Sequence, residues 1–108
     1  MAILEKTLRG DFDGLLRKIE DGVLNGSVSA SLEEEADYRG NDGSRCSVRV
    51  FERYSYTGGN RVSMNVTLYE TGGVIKLCAI TAGGSQATFF KVNTWGEEAF
   101  LQTLEDIL

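Results

Sequence analysis

Arg45–Tyr69, RCSVRVFERYSYTGGNRVSMNVTLY, decides the fold. Two runs that alternate apolar and polar residues flank Thr57-Gly58-Gly59-Asn60, and paired glycines between such runs are a strong β-hairpin signal. Side chains on a strand alternate with period two, so assigning one residue assigns a whole face. In the first run Cys46, Val48, Val50, Tyr54 and Tyr56 are read as the inner face, with Arg45, Ser47, Arg49, Phe51, Arg53 and Ser55 outside. In the second, Val62, Met64, Val66 and Leu68 point inward, and Ser63, Asn65, Thr67 and Tyr69 point outward.

Working outward, Thr71-Gly72-Gly73 turns the chain into Val74–Ala82, a run that is apolar on both faces. A two-residue turn sends Ile75, Leu77 and Ala79 inward and leaves Val74, Cys78 and Ile80 outside; one more loop residue reverses this. Either way the strand is central, or its second face is covered. On the other side, Gly40-Asn41-Asp42-Gly43 links back to a run with Val28, Ala30, Leu32, Ala36 and Tyr38 on one face and Glu33, Glu35 and Asp37 on the other. Glu34 breaks the apolar face, a sign of a bulge or an edge position. Two registers match the inner faces, pairing Glu35 with Arg49 or with Ser47. Both set acidic Glu33, Glu35 and Asp37 against basic Arg45, Arg49 and Arg53. The stripe reads first as a cross-strand ion-pair ladder on a wet face and second as a charged binding surface.

Helices close the pattern at both ends. Phe12, Leu15, Leu16, Ile19 and Val23 recur with helical spacing behind Asp11, a good N-cap, and Asn25-Gly26 supplies the stop. Thr94-Trp95-Gly96-Glu97 fits a capping box opening a final helix whose buried stripe is Phe100, Leu101, Leu104, Ile107 and Leu108. Ile3–Arg9 reads as a short first strand, and residues 83–93 as a crossing loop or a short extra strand. The order is β-α-β-β-β-β-α. Tight turns force an antiparallel meander, and two amphipathic helices cover one face. The fold class is therefore a two-layer α+β domain spanning 1–108.

VRVFERYSYTGGNRVSMN at 48–65 and GGSQATFFKVNTWGEEAFL at 83–101 resemble an uncharacterised family of small single-domain bacterial proteins, mostly from Firmicutes. That resemblance implies one domain and carries no activity, substrate, cofactor or site residue. The element order is similar to the TBP-like and helix-grip superfold, in which a curved antiparallel sheet wraps a long C-terminal helix. The short final helix here argues against a large ligand cavity, and a fold does not license a function.

Composition excludes several chemistries. A net charge of −5 opposes the phosphate contacts of a nucleic-acid binder and docking on an anionic membrane. No histidine is present, which removes Ser-His-Asp and Cys-His catalysis and the commonest metal ligand. The serines and two cysteines have no neighbouring base, Glu33, Glu34, Glu35 and Asp37 point alternately to opposite faces, and no calcium-loop spacing occurs. No catalytic residues, metal or cofactor are expected, and an enzyme is the less favoured reading. Cys46 and Cys78 on apolar runs fit reduced thiols in a cytoplasmic protein. No run approaches the ~18 apolar residues of a membrane span.

Two binding readings remain. The first is an assembly module that associates with itself, or with another protein, through the outer sheet face. Phe51, Tyr69, Cys78 and Ile80 would form that surface, since large apolar residues are unusual on a bare wet face. The second is a helix-grip-like carrier of a small apolar or aromatic ligand, held between the sheet and the last helix by Tyr54, Tyr56, Phe89, Phe90 and Trp95. Tyr54 and Tyr56 serve equally well to close the end of a core. Gly83-Gly84-Ser85-Gln86 lacks the lysine of a phosphate loop and reads as a turn.

Overall fold

The computed structural model describes residues 1–27, 29–54, 61–83 and 90–108, the side chains of 90–95 excepted. Its elements run β1 (Ala2–Leu8), α1 (Phe12–Asn25), β2 (Ser31–Arg39), β3 (Arg45–Tyr54), β4 (Arg61–Thr71), β5 (Val74–Gly83) and α2 (Phe90–Ile107). This is the expected α+β order. The strands form an open sheet in the order β1-β5-β4-β3-β2, with every neighbouring pair antiparallel. The meander from β2 to β5 follows from connections only a few residues long, and β1 adds to the free edge of β5.

Local signals act where they were read. Asp11 caps α1 by accepting from the Gly14 N–H at 2.8 Å. Phe12, Leu16, Ile19 and Val23 form its buried stripe. Gly72 and Gly73 both take positive φ, +59° and +78°, and close a two-residue hairpin with Thr71 opposite Val74. That loop length selects the first alternative for β5: Ile75, Leu77 and Ala79 are buried. Gly22 has a different reason to be glycine. A Cβ there would lie 2.3 Å from the Ile107 side chain, so the missing methyl lets α2 pack closely on α1. Among the described residues no helix is long and apolar enough to cross a membrane.

The core joins Phe12, Leu16, Ile19 and Val23 of α1 and Phe100 and Leu104 of α2 to one sheet face. That face supplies Phe51, Val62, Met64, Val66, Leu68, Ile75, Leu77 and Ala79. The inner face expected for β3 is thereby corrected. Phe51 pairs with Met64 and Arg49 with Val66, and antiparallel partners share a face. The helix side of β3 is Arg45, Ser47, Arg49, Phe51 and Arg53, while Cys46, Val48, Val50 and Tyr54 look away from the helices. Arginines tolerate this because their stems are apolar and their flat heads stack on rings. The Arg45 guanidinium sits 4.1 Å from the Phe12 ring centroid, and that of Arg53 sits 4.6 Å from Phe100.

A bulge produces the second correction. The β2–β3 register shifts between Leu32 and Glu34, where Glu34 had broken the pattern. Leu32 lies opposite Phe51 on the helix side, but beyond the shift Ala36 lies opposite Val48 and Tyr38 opposite Cys46. One extra residue exchanges the faces, so Ala36 and Tyr38 leave the inner face and Glu35 and Asp37 enter it. Glu35 pairs with Arg49, one of the two expected registers.

The last helix starts earlier than expected. Phe90 already belongs to α2, so Thr94 and Glu97 lie inside it rather than at its cap. Glu97 is buried instead. Its carboxylate accepts from the Gly83 N–H at 2.6 Å and pairs with the Met1 amino group at 2.9 Å, tying α2 to the adjoining ends of β5 and β1.

Candidate functional site

Among the described residues, both helices lie on one sheet face and the other carries none. The residues of that open face follow from the register as lines running across the sheet. One line is Ile3, Ile80, Asn65, Val50 and Glu34; the next is Glu5, Cys78, Thr67, Val48 and Ala36; the third is Thr7, Lys76, Tyr69, Cys46 and Tyr38. The three strands in the middle of the first two lines contribute no charge. Carboxylates stand at the rims, Glu5 on β1 and Glu34 on β2. An uncharged centre inside a margin that carries the charges matches the depletion of charged residues at the core of a recognition surface.

Exposure sharpens the picture. The large hydrophobic side chains most open to solvent, Met1 apart, are Ile3 (58%), Tyr38 (63%), Tyr54 (54%), Tyr69 (43%) and Ile80 (39%) among the described residues. All five belong to this face. Near its end, Arg61 stacks over Tyr54 at 5.4 Å and pairs with Glu52 at 2.9 Å.

The structure therefore brings together three of the four residues expected at an interface. Tyr69, Cys78 and Ile80 share the open face, with Cys78 half-buried and unbonded. Phe51 does not join them: it is 0% exposed, in the middle of the core. Its removal follows from the register with β4. Tyr54, expected beside the last helix, stands on the opposite side of the sheet from it. Tyr56 and Phe89 lie outside the described residues, as does the Thr57–Asn60 turn. Phe90 and Trp95 fall within α2, and only their backbone is described. Ile3, Tyr38 and Tyr54 are the interface candidates that sequence reasoning missed. Alternation of Ile3, Glu5 and Thr7 against Leu4, Lys6 and Leu8 was a usable signal for the first. Tyr38 was hidden by the bulge.

On the helix side, the ion pairs take a form unlike the expected wet ladder. Arg49 is 5% exposed and donates to Glu20 at 2.7 Å, to Asp37 at 3.1 Å, and to the Ala36 and Val48 carbonyls at 3.3 and 3.0 Å. Glu35 stands 3.7 Å from the same guanidinium. Arg45 turns instead to Asp13 at 2.7 Å, and Arg53 donates to Thr103 at 3.3 Å. The donors of Arg49 are spent on protein acceptors, so the cluster is a joint between α1 and β2–β3.

The cluster makes stability depend on pH. The Ser47 hydroxyl, then the Arg49 guanidinium, hold the Asp37 carboxyl below its ordinary 3.8. Arg45 does the same for Asp13, and Ser44 for Asp42. A carboxyl with a lower pKa folded than unfolded stabilises the fold above the unfolded value, and that contribution is lost as pH falls through the folded one. Urea midpoints are expected to hold steady from neutral pH to about pH 5 and then to fall continuously towards about pH 2. Asp37→Asn should make that acid limb shallower. A midpoint that rises on acidification would refute the assignment.

Together these features define a small α+β domain with an open antiparallel sheet, helices on one face and an exposed aromatic and aliphatic surface on the other. The chain belongs to DUF6054, a family of unknown function, whose model matches residues 1–108. No curated protein matches it in sequence. It is similar to the solution structure of Chr148 from Cytophaga hutchinsonii at 8% identity, covering 96% of this chain and 88% of that one. The TM-score is 0.39, too low to carry an argument.

Proposed function

We propose that the protein is a cytoplasmic binding and assembly module that associates with a second copy of itself through the open sheet face. The observation that carries this reading is the gathering of Ile3, Tyr38, Tyr54, Tyr69 and Ile80, all exposed, on that one face. Scattered apolar residues need no explanation, but five large ones on a single sheet face, set around an uncharged centre, mark an interaction site. Two free thiols, Cys46 and Cys78, both on this face, support a reducing compartment.

Molar mass by light scattering over a concentration series, with reductant present, tests the proposal. A dimer is expected that dissociates on dilution. Ile80→Asp is expected to weaken it by at least a factor of about ten, because burying a lone carboxylate costs more than the ~1.4 kcal/mol of a tenfold change. A chain that stays monomeric at the highest attainable concentration would overturn the proposal.

A further inference from the structure

Resting on that self-association, the geometry points to a particular arrangement. We propose that the two open faces meet about a two-fold axis lying parallel to the strands over β4. Tyr38 of each copy then enters a depression on the other, beside Lys76.

The depression lies over β1, β5 and β4 and measures about 290 Å³; Glu5, Thr7, Thr67, Tyr69, Lys76 and Cys78 line it. A protein cavity of ~150 Å³ holds benzene, and drug-sized pockets begin near ~300 Å³. It therefore has room for one aromatic side chain. Lys76 Nζ donates to Thr7 Oγ1 at 3.1 Å within it, so a cation is held where a ring would arrive. Tyr38 is the matching projection. It stands on β2, across the same face, and at 63% is more exposed than Ile3, Tyr54, Tyr69 or Ile80.

Register and strand order decide how the two could meet. Thr7, Lys76, Tyr69, Cys46 and Tyr38 form one line across the sheet, so projection and depression stand at the same height along the strands. The strand order is symmetric about β4, with β5 and β1 on one side and β3 and β2 on the other. A half-turn about an axis along β4 keeps every height and exchanges β2 with β1. Tyr38 of the second copy lands at the Thr7–Lys76 end of the line, and the reverse contact forms at the same time. Such a self-complementary contact closes after two subunits. Tyr69 falls on the axis, facing its twin. A half-turn about an axis across the strands would instead lay β2 over its own twin and leave both depressions empty.

The surface is large enough. Five strands ~4.8 Å apart, about eight residues long at ~3.4 Å each, give roughly 1,300 Å² for the two copies, within the ~1,200–2,000 Å² of stable complexes.

Two variants of the full chain test the arrangement. Tyr38→Ala is expected to raise the dimer dissociation constant at least tenfold without altering the circular dichroism spectrum. Tyr69→Cys, made with Cys46→Ser and Cys78→Ser, is expected to link into a covalent dimer with a bis-maleimide whose reach matches the ~10 Å between packed sheets. Chains that dimerise but neither cross-link at position 69 nor respond to Tyr38→Ala would overturn this arrangement and leave self-association standing. A wild-type monomer would overturn both.

Discussion

Phe51→Ala is expected to cost about 3–5 kcal/mol, the range for truncating a buried aromatic. Phe51 is fully buried, with Met64 opposite it on β4 and Leu32 on β2, in the core that both helices share. The loss combines the transfer energy of the ring with the cavity it leaves, since neighbouring strands are held by their ladders and cannot close in. A domain of this size has only ~5–15 kcal/mol in total. The melting temperature should fall by at least about 12 °C, at ~4 °C or more per kcal/mol. Val50→Ala, one residue away on the open face, provides the contrast. If Val50→Ala proves the costlier of the two in thermal or urea unfolding, the facing of β3 is reversed and the interface assignment goes with it.

Replacing Arg49 by methionine is expected to cost about 2–4 kcal/mol. Removing one partner of a buried ion pair typically costs ~3–5 kcal/mol, because the other charge is stranded. Here Asp37 and Glu35 keep more than half of their side-chain surface in water and can rehydrate, while Glu20 is more enclosed. The figure therefore sits below the full penalty. Lysine should restore little, since a point charge cannot donate as a fork to Glu20, Asp37 and two carbonyls together. A cycle of Arg49→Met and Asp37→Asn should show a coupling of about 1 kcal/mol or more and a flattened acid limb in the double variant. Additive effects would mean that Arg49 acts through its stem alone.

The contrast between β4 and β3 explains how far the sequence could be read. β4 alternates Val62, Met64, Val66 and Leu68 against Ser63, Asn65, Thr67 and Tyr69, so its facing was unambiguous. β3 sets Cys46, Val48 and Val50 against Arg45, Ser47, Arg49 and Phe51, and hydropathy points to the wrong set. Three polar residues outvote one phenylalanine in any such reading. The buried side is chosen all the same by Phe51, by rings on α1 and α2 that receive Arg45 and Arg53, and by carboxylates from Glu20 and Asp37 that neutralise Arg49. All of these partners are remote in sequence. The same limit hid part of the candidate surface: Tyr69, Cys78 and Ile80 were legible as outward residues, while Tyr38 and Tyr54 changed sides with the bulge and with β3.

What the sequence by itself determined was local. Asp11 as a cap, the helical stripe of α1, the two-residue Gly72-Gly73 hairpin, the irregularity at Glu34 and the order β-α-β-β-β-β-α all rest on interactions within a few residues. Only the tertiary structure decided which face of β3 is core, where β1 joins the sheet, where α2 begins and which side chains stand exposed together. Those choices depend on partners brought close by pairing across the sheet and by the two helices, and a buried arginine is read correctly only once the groups that stack on it and neutralise it are in place.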